Sequence, residues 1–245
     1  MKKRIVIVGG VAGGASAATR ARRLCEHCEI IVFERGPHVS FANCGLPYYV
    51  GGEIVEQDSL LLQTPETLRA RFNLDVRVNT EVVSVQRARQ AVRVRELPTG
   101  REYEEPYDAL VLSTGASPLK PPIRGLDRPN HFTVRNVPDV ERIMEWSHGC
   151  LRCRTVIIGG GYIGLEMAEQ LRRRDFDVTL VEALPQVMTP FDPEMAAWLQ
   201  PLADAGAPRR ARAGALSGVP LGGRRLPLAG LPHAGGRRGL ADRVL

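Results

Sequence analysis

Residues 154–171, RTVIIGGGYIGLEMAEQL, followed at 176–184 by FDVTLVEAL, read as strand, glycine turn, helix and second strand. The β-branched run ends at Ile158; Gly159, Gly161 and Gly164 follow in G-x-G-x-x-G spacing, and Glu182 closes the second strand. In such a turn the first glycine reverses the chain, the second lets a pyrophosphate approach the backbone, and the third lets helix and strand pack closely. The helix N-terminus then offers free N–H groups to phosphate, with Tyr162 and Ile163 at its start and Glu166 one turn on. A carboxylate at Glu182 accepts from a free ribose 2′-hydroxyl and repels a 2′-phosphate, which favours an unphosphorylated dinucleotide.

The same design stands near the N-terminus. RIVIVGGVAGGASAATRARRL (4–24) and EIIVFERG (29–36) again give strand, turn, helix and strand, with Glu34 as the closing acid. Gly9 supplies the tight turn, Gly10, Ala12 and Gly13 continue it, and Gly14 lets the helix lie close to the sheet; Val11 replaces the middle glycine of the fingerprint. MKKRIVIVGGVAGGASAA superficially resembles a secretory signal, but the strand–turn–helix reading accounts for more of it. No run of 18 or more apolar residues exists, so no membrane span is expected. Two dinucleotide turns in one chain point to two cofactors that exchange electrons. The fold class expected is α/β, with two Rossmann-like domains, both incomplete, and an antiparallel β insertion.

That insertion lies between the turns. Thr64 and Pro65 open a short helix running through Phe72, and EVVSVQRA (81–88) and AVRVREL (91–97) alternate like antiparallel strands about a turn at Arg89. YDALVLSTGASP (107–118) reads as a buried strand ending at Thr114 and Gly115, in a loop beside the first turn. On the first helix, Ala17, Ala21 and Leu24 are expected to face the sheet, and Ser16, Arg20 and Arg23, spaced i, i+4, i+7, share the other face. SFANCGLPYYVGG (40–52) puts Cys44 among turn-forming residues on both sides, a setting that presents a sulfur instead of burying it.

The two turns, STGASP between them, VRNVPDVERI at 134–143 and SFANCGLPYYVGG together resemble the single-cysteine flavoprotein disulfide reductases. The likeness is greatest to coenzyme A disulfide reductases, with NADH oxidases, NADH peroxidases and persulfide reductases as relatives, and it runs from residue 3 to about 206. The resemblance implies FAD at the first turn and NADH at the second, with NADPH the less favoured coenzyme. It implies that Cys44 is the catalytic sulfur, forming a mixed disulfide with a small thiol. Two-cysteine relatives use C-x4-C; the positions five before and five after Cys44 are Val39 and Tyr49, so the loop holds no partner. Tyr162 resembles an aromatic gate over the flavin, and Glu166 lies near the nicotinamide. Relatives that use coenzyme A place polar and basic groups at the positions of Ser16, Arg20, Arg23, Ser40 and Asn43; Arg71 adds to this set, and arginine forks suit phosphates. The resemblance also implies a homodimer for a full-length protein.

CEHC (25–28) and CLRC (150–153) adjoin strands and not a zinc knuckle, so no metal is assigned, and unpaired thiols there are expected to fit a reducing cytoplasm. The net charge of +6 arises in the last forty residues, which hold eight Arg and one acid. A general nucleic-acid surface is therefore not implied, and that tail has no aromatic to stack a base. From Gly206 the chain has no Ile, Lys, Glu or aromatic residue and no amphipathic period, as in G/C-rich DNA read in a shifted frame. The domains expected are an FAD domain at 1–150, the start of an NAD(P)H domain at 151–205, and a disordered or frameshifted tail at 206–245. With its later parts absent, the chain is expected to hold FAD weakly.

Overall fold

The computed structural model describes residues 3–150, 152–205 and 243–244. By contact they form two compact units, one of residues up to Asn43 and Gln57–Ser117, the other of Cys44–Glu56 and residues from Pro118 onward. The expectation for 206–245 lies outside the described residues except at Arg243 and Val244.

In the first unit β1 (Arg4–Val8), β2 (Glu29–Phe33), β3 (Asp75–Arg77) and β7 (Ala109–Leu112) form a parallel sheet in the order β3-β2-β1-β7. Strand alternation sends Ile7, Ile30 and Val32 to one face, where they pack with Ala18 of α1 (Ala12–Leu24) and Leu68 of α3 (Pro65–Phe72). Val6, Ile31 and Phe33 face the other way, onto Val92 and Val94. Those valines belong to β5 (Ala91–Glu96), the middle strand of an antiparallel sheet with β4 (Thr80–Gln86) and β6 (Glu102–Pro106). The sheet buried on both faces explains the unbroken apolar runs of β1 and β2.

The expected antiparallel pair is present, with a bulge between Val82 and Ser84, and Thr64 caps α3 through the Thr67 N–H. Two expectations need correction. The strand at 109–112 is not buried: it is the sheet edge, and Leu112 is 63% exposed. Leu24 does not face the sheet either. It is 72% exposed at the end of α1, whose buried positions are Gly14, Ala15 and Ala18, while Ala17 and Ala21 pack at the margin. The polar strand β6 was not anticipated. Arg77 ties it to β3: the guanidinium donates to Asp75, Tyr103 and Glu105 and lies 5.3 Å from the Phe33 ring centre.

The second unit holds the parallel sheet β10-β8-β9, formed by β8 (Arg154–Ile158), β9 (Asp177–Val181) and β10 (Arg243–Val244). Its helices are α2 (Leu46–Gly51), α4 (Val137–Ser147), α5 (Tyr162–Arg173) and α6 (Pro193–Ala205). Asn136 caps α4 by accepting from the Asp139 N–H at 2.9 Å. Cys25 and Cys28 form a disulfide, and Cys150 and Cys153 are brought together as a second such pair, so these are not the isolated thiols expected. Each short loop brings its Cα atoms to 5.5 and 5.8 Å, a span a disulfide bridges. The free-thiol argument for a reducing compartment therefore falls away. Among the described residues no helix is long and apolar enough to cross a membrane.

Candidate functional site: two glycine turns and an exposed cysteine

The two glycine turns are built alike, down to contacts the sequence does not announce. The Gly9 N–H donates to Phe33 O and the Gly159 N–H to Val181 O, both at 2.8 Å. Gly9 and Gly159 sit at φ 95° and 109°, backbone that glycine adopts freely. A Cβ on Gly14 would stand 1.6 Å from Gly9 O, and one on Gly164 would stand 1.9 Å from Gly159 O, so each helix rests directly on its turn.

The acids hold the turns. Glu34 accepts from the Gly10 and Gly36 N–H groups, both at 2.8 Å. Glu182 accepts from Gly160 at 2.6 Å and from Leu184 at 2.9 Å. Each carboxylate oxygen keeps a second lone pair free to accept another hydrogen bond. The Ser40 N–H donates to Gly10 O at 3.1 Å, as the Met188 N–H does to Gly160 O at 2.7 Å. Both residues are left-handed, at φ 47° and 51°, a conformation that costs a non-glycine residue roughly 1 kcal/mol. Met188, and the packing of Val39 and Val187 where Cβ atoms on Gly10 and Gly160 would lie, went unread, although both loops after the acids carry E-x-x-P-x-V, at 34–39 and 182–187.

In the first unit the loop after β7 closes on the turn: Cβ atoms on Gly9 and Gly13 would strike Ser113. Thr114 follows, exposed, and Gly115 is at φ 65°. Ala12 is exposed at the start of α1, and Ser16, Arg20 and Arg23 lie exposed along it. Arg71, exposed on α3, stacks 5.6 Å from the Phe72 ring centre. Asn43 Oδ1 and Gln63 Oε1 are buried acceptors with no hydrogen-bond partner among the described residues. Such orphans call for donors, and Gln63 was not foreseen.

In the second unit Cys44 is the free cysteine, exposed in the short 3-10 turn Asn43–Gly45 that leads into α2. Gly159 and Gly161 border open space, with nothing within 4 Å of an added Cβ, over the uncapped start of α5. Tyr162, 57% exposed, meets Phe191 edge-on at 5.9 Å, Ile163 is exposed beside it, and Glu166 is half-buried. Room over the second turn fits a pyrophosphate, and the orphaned acceptors of the first unit fit a ligand with hydroxyl or N–H donors.

The family model described as pyridine nucleotide-disulphide oxidoreductase matches residues 3–205. The chain belongs to that family. Among relatives of this oxidoreductase chain, the coenzyme A disulfide reductase of Staphylococcus epidermidis is 38% identical over 192 residues, covering 78% of this chain and 43% of the relative. The structure of reduced Bacillus anthracis CoADR-RHD superposes with a TM-score of 0.81 and 49% identity, over 84% of this chain and 37% of that one. The NAD-dependent persulfide reductase from A. fulgidus gives 0.78 and 36%, over 83% and 38%. The chain thus spans less than half the length of these relatives.

Proposed function

We propose that this chain is the FAD- and NADH-binding part of a flavoprotein disulfide reductase that acts on coenzyme A disulfide. The observation that carries the reading is the free, exposed Cys44 in a chain with two acid-closed glycine turns. FAD at the first turn would supply the hydride relay between NADH and sulfur. Gly9, Gly10, Ala12, Gly13 and Gly14 admit its pyrophosphate, Glu34 accepts from its ribose, and Thr114 and Gly115 flank it. Gly159, Gly161, Ile163, Gly164 and Glu182 do the same for NADH, with Tyr162 and Glu166 toward the nicotinamide.

Cys44 acts as the nucleophile. Its thiolate attacks a disulfide sulfur, the old S–S bond breaks, and one coenzyme A leaves as thiolate. The arginine forks of Arg20, Arg23 and Arg71, with Ser16, Ser40 and Asn43, bind the phosphates and polar arm of coenzyme A. The whole protein works as a homodimer, in the cytoplasm where NADH supplies reductant. The likeness to a persulfide reductase favours a second reading, in which Cys44 carries a persulfide.

The cofactor half of the proposal is tested by titrating the chain into FAD and following flavin fluorescence. Saturable quenching in the wild type that disappears in Gly13→Val is the expected result. Quenching that never saturates, or that survives the substitution, would overturn it.

A further inference from the structure

Beyond the second glycine turn, α5 carries a side chain that stability alone does not explain. Gln170 is 1% exposed, and its Oε1 has no hydrogen-bond partner among the described residues. A buried amide with an unpaired acceptor is a cost that an apolar residue would avoid. What it does touch is the end of α2 and the turn just after it. Its Nε2 donates to Glu53 Oε1 at 2.9 Å, and Arg173 pairs with the same oxygen. Arg174 Nη1 donates to Val50 O at 2.9 Å, a helix-end carbonyl with no partner inside α2. The same nitrogen reaches Met144 and Ser147 of α4 at 3.2 and 3.4 Å. Gly51 has to be glycine for the approach, because an added Cβ would stand 1.8 Å from Gln170 Oε1.

We infer that Gln170, with Glu53 and Arg174, is a positioning residue for Cys44, clasping the helix that follows the sulfur to the helix that begins at the second nucleotide turn. Two elements of different purpose are thereby held by one rigid rod. The inference rests on the proposed exchange of Cys44 with coenzyme A disulfide. That exchange, thiolate attack with release of one coenzyme A thiolate, is the step whose geometry the clasp sets.

The test uses the whole chain, Gln170→Leu, which keeps the volume, and Glu53→Ala, which removes an exposed acceptor and leaves the core intact. Amide hydrogen exchange of residues 46–53 reads the clasp. Adduct formation at Cys44 is timed by intact mass with coenzyme A disulfide and, across pH, with the aromatic disulfide of thionitrobenzoate. Both variants should exchange these amides about tenfold faster or more. Both should form the coenzyme A adduct roughly ten- to a hundredfold more slowly while the aromatic disulfide stays within about twofold at every pH because Cys44 is already exposed, and Glu53→Gln, which keeps the acceptor, should restore the coenzyme A rate. Unchanged exchange overturns the clasp. Faster exchange with unchanged coenzyme A adduct rates, or with both disulfides slowed alike, overturns the positioning role. A wild type that shows no preference for coenzyme A disulfide counts against the proposed function instead, and the amide exchange and the Glu53→Gln rescue still judge the inference.

Discussion

Gly14→Ala sets two opposite expectations against each other. At an ordinary site inside a helix, replacing glycine by alanine stabilises by about 1 kcal/mol, because alanine loses less backbone freedom on folding. Here the new Cβ would stand 1.6 Å from Gly9 O and 2.8 Å from Gly9 C, the first less than half the 3.4 Å at which ordinary contact begins. Both obstacles are backbone, so no side chain can turn aside. The helix has to lift from the sheet, and Ile7, whose Cγ2 would stand 3.3 Å from the new Cβ, loses its packing. Overpacking of this kind costs on the order of 3 kcal/mol or more, so after the helical gain the net loss is about 2 kcal/mol. Urea unfolding followed by circular dichroism measures it, and Gly13→Ala is the control, since that Cβ meets the rotatable Ser113 hydroxyl. A Gly14→Ala chain as stable as the wild type, or more so, would refute the close approach on which the first cradle is built.

Gly161→Ala adds a Cβ into open space, so stability should stay within about 0.5 kcal/mol; NADH affinity, followed by its fluorescence, should fall about tenfold or more as the pyrophosphate loses its approach, and unchanged affinity would contradict the assignment. Arg22→Met should cost about 2–3 kcal/mol in a thermal melt, because the guanidinium donates to the carbonyls of Cys25, Glu26, Cys28, Phe72 and Asn73; a loss under 0.5 kcal/mol would make the strap incidental. Glu182→Gln should narrow the preference for NADH over NADPH in a binding titration by about tenfold as charge repulsion at the ribose goes, and a wild type binding both equally would refute that role.

The glycine turns were legible because each physical demand fixes a letter at a fixed spacing. The antiparallel pair was legible because Val92 and Val94 alternate with Arg93 and Arg95, and Val83 and Val85 flank Ser84. What escaped was chemistry that any of several residues could perform. Arg22 is one arginine in RARR, and nothing in that run says it gathers five carbonyls while Arg20 and Arg23 lie in solvent. β6 reads EYEEP, too acidic for a strand until Arg77 is seen opposite Glu105 at 2.7 Å. Leu112 has the letters of a core strand, and only the strand order makes it an edge. In the same way Cys44 was marked by its turn-forming neighbours, whereas Gln170 sits at an unremarkable helical position whose partners are more than a hundred residues away.

The central claim is that Cys44 is a thiol for exchange with coenzyme A disulfide. Its most direct test is to incubate the native chain with that disulfide, measure the intact mass and map the modified peptide. The account predicts one coenzyme A per chain, attached at Cys44, removed by a thiol reductant and absent in Cys44→Ser. A chain that stays unmodified, or that carries coenzyme A at the cysteines of 25–28 or 150–153 while Cys44 remains free, would contradict it.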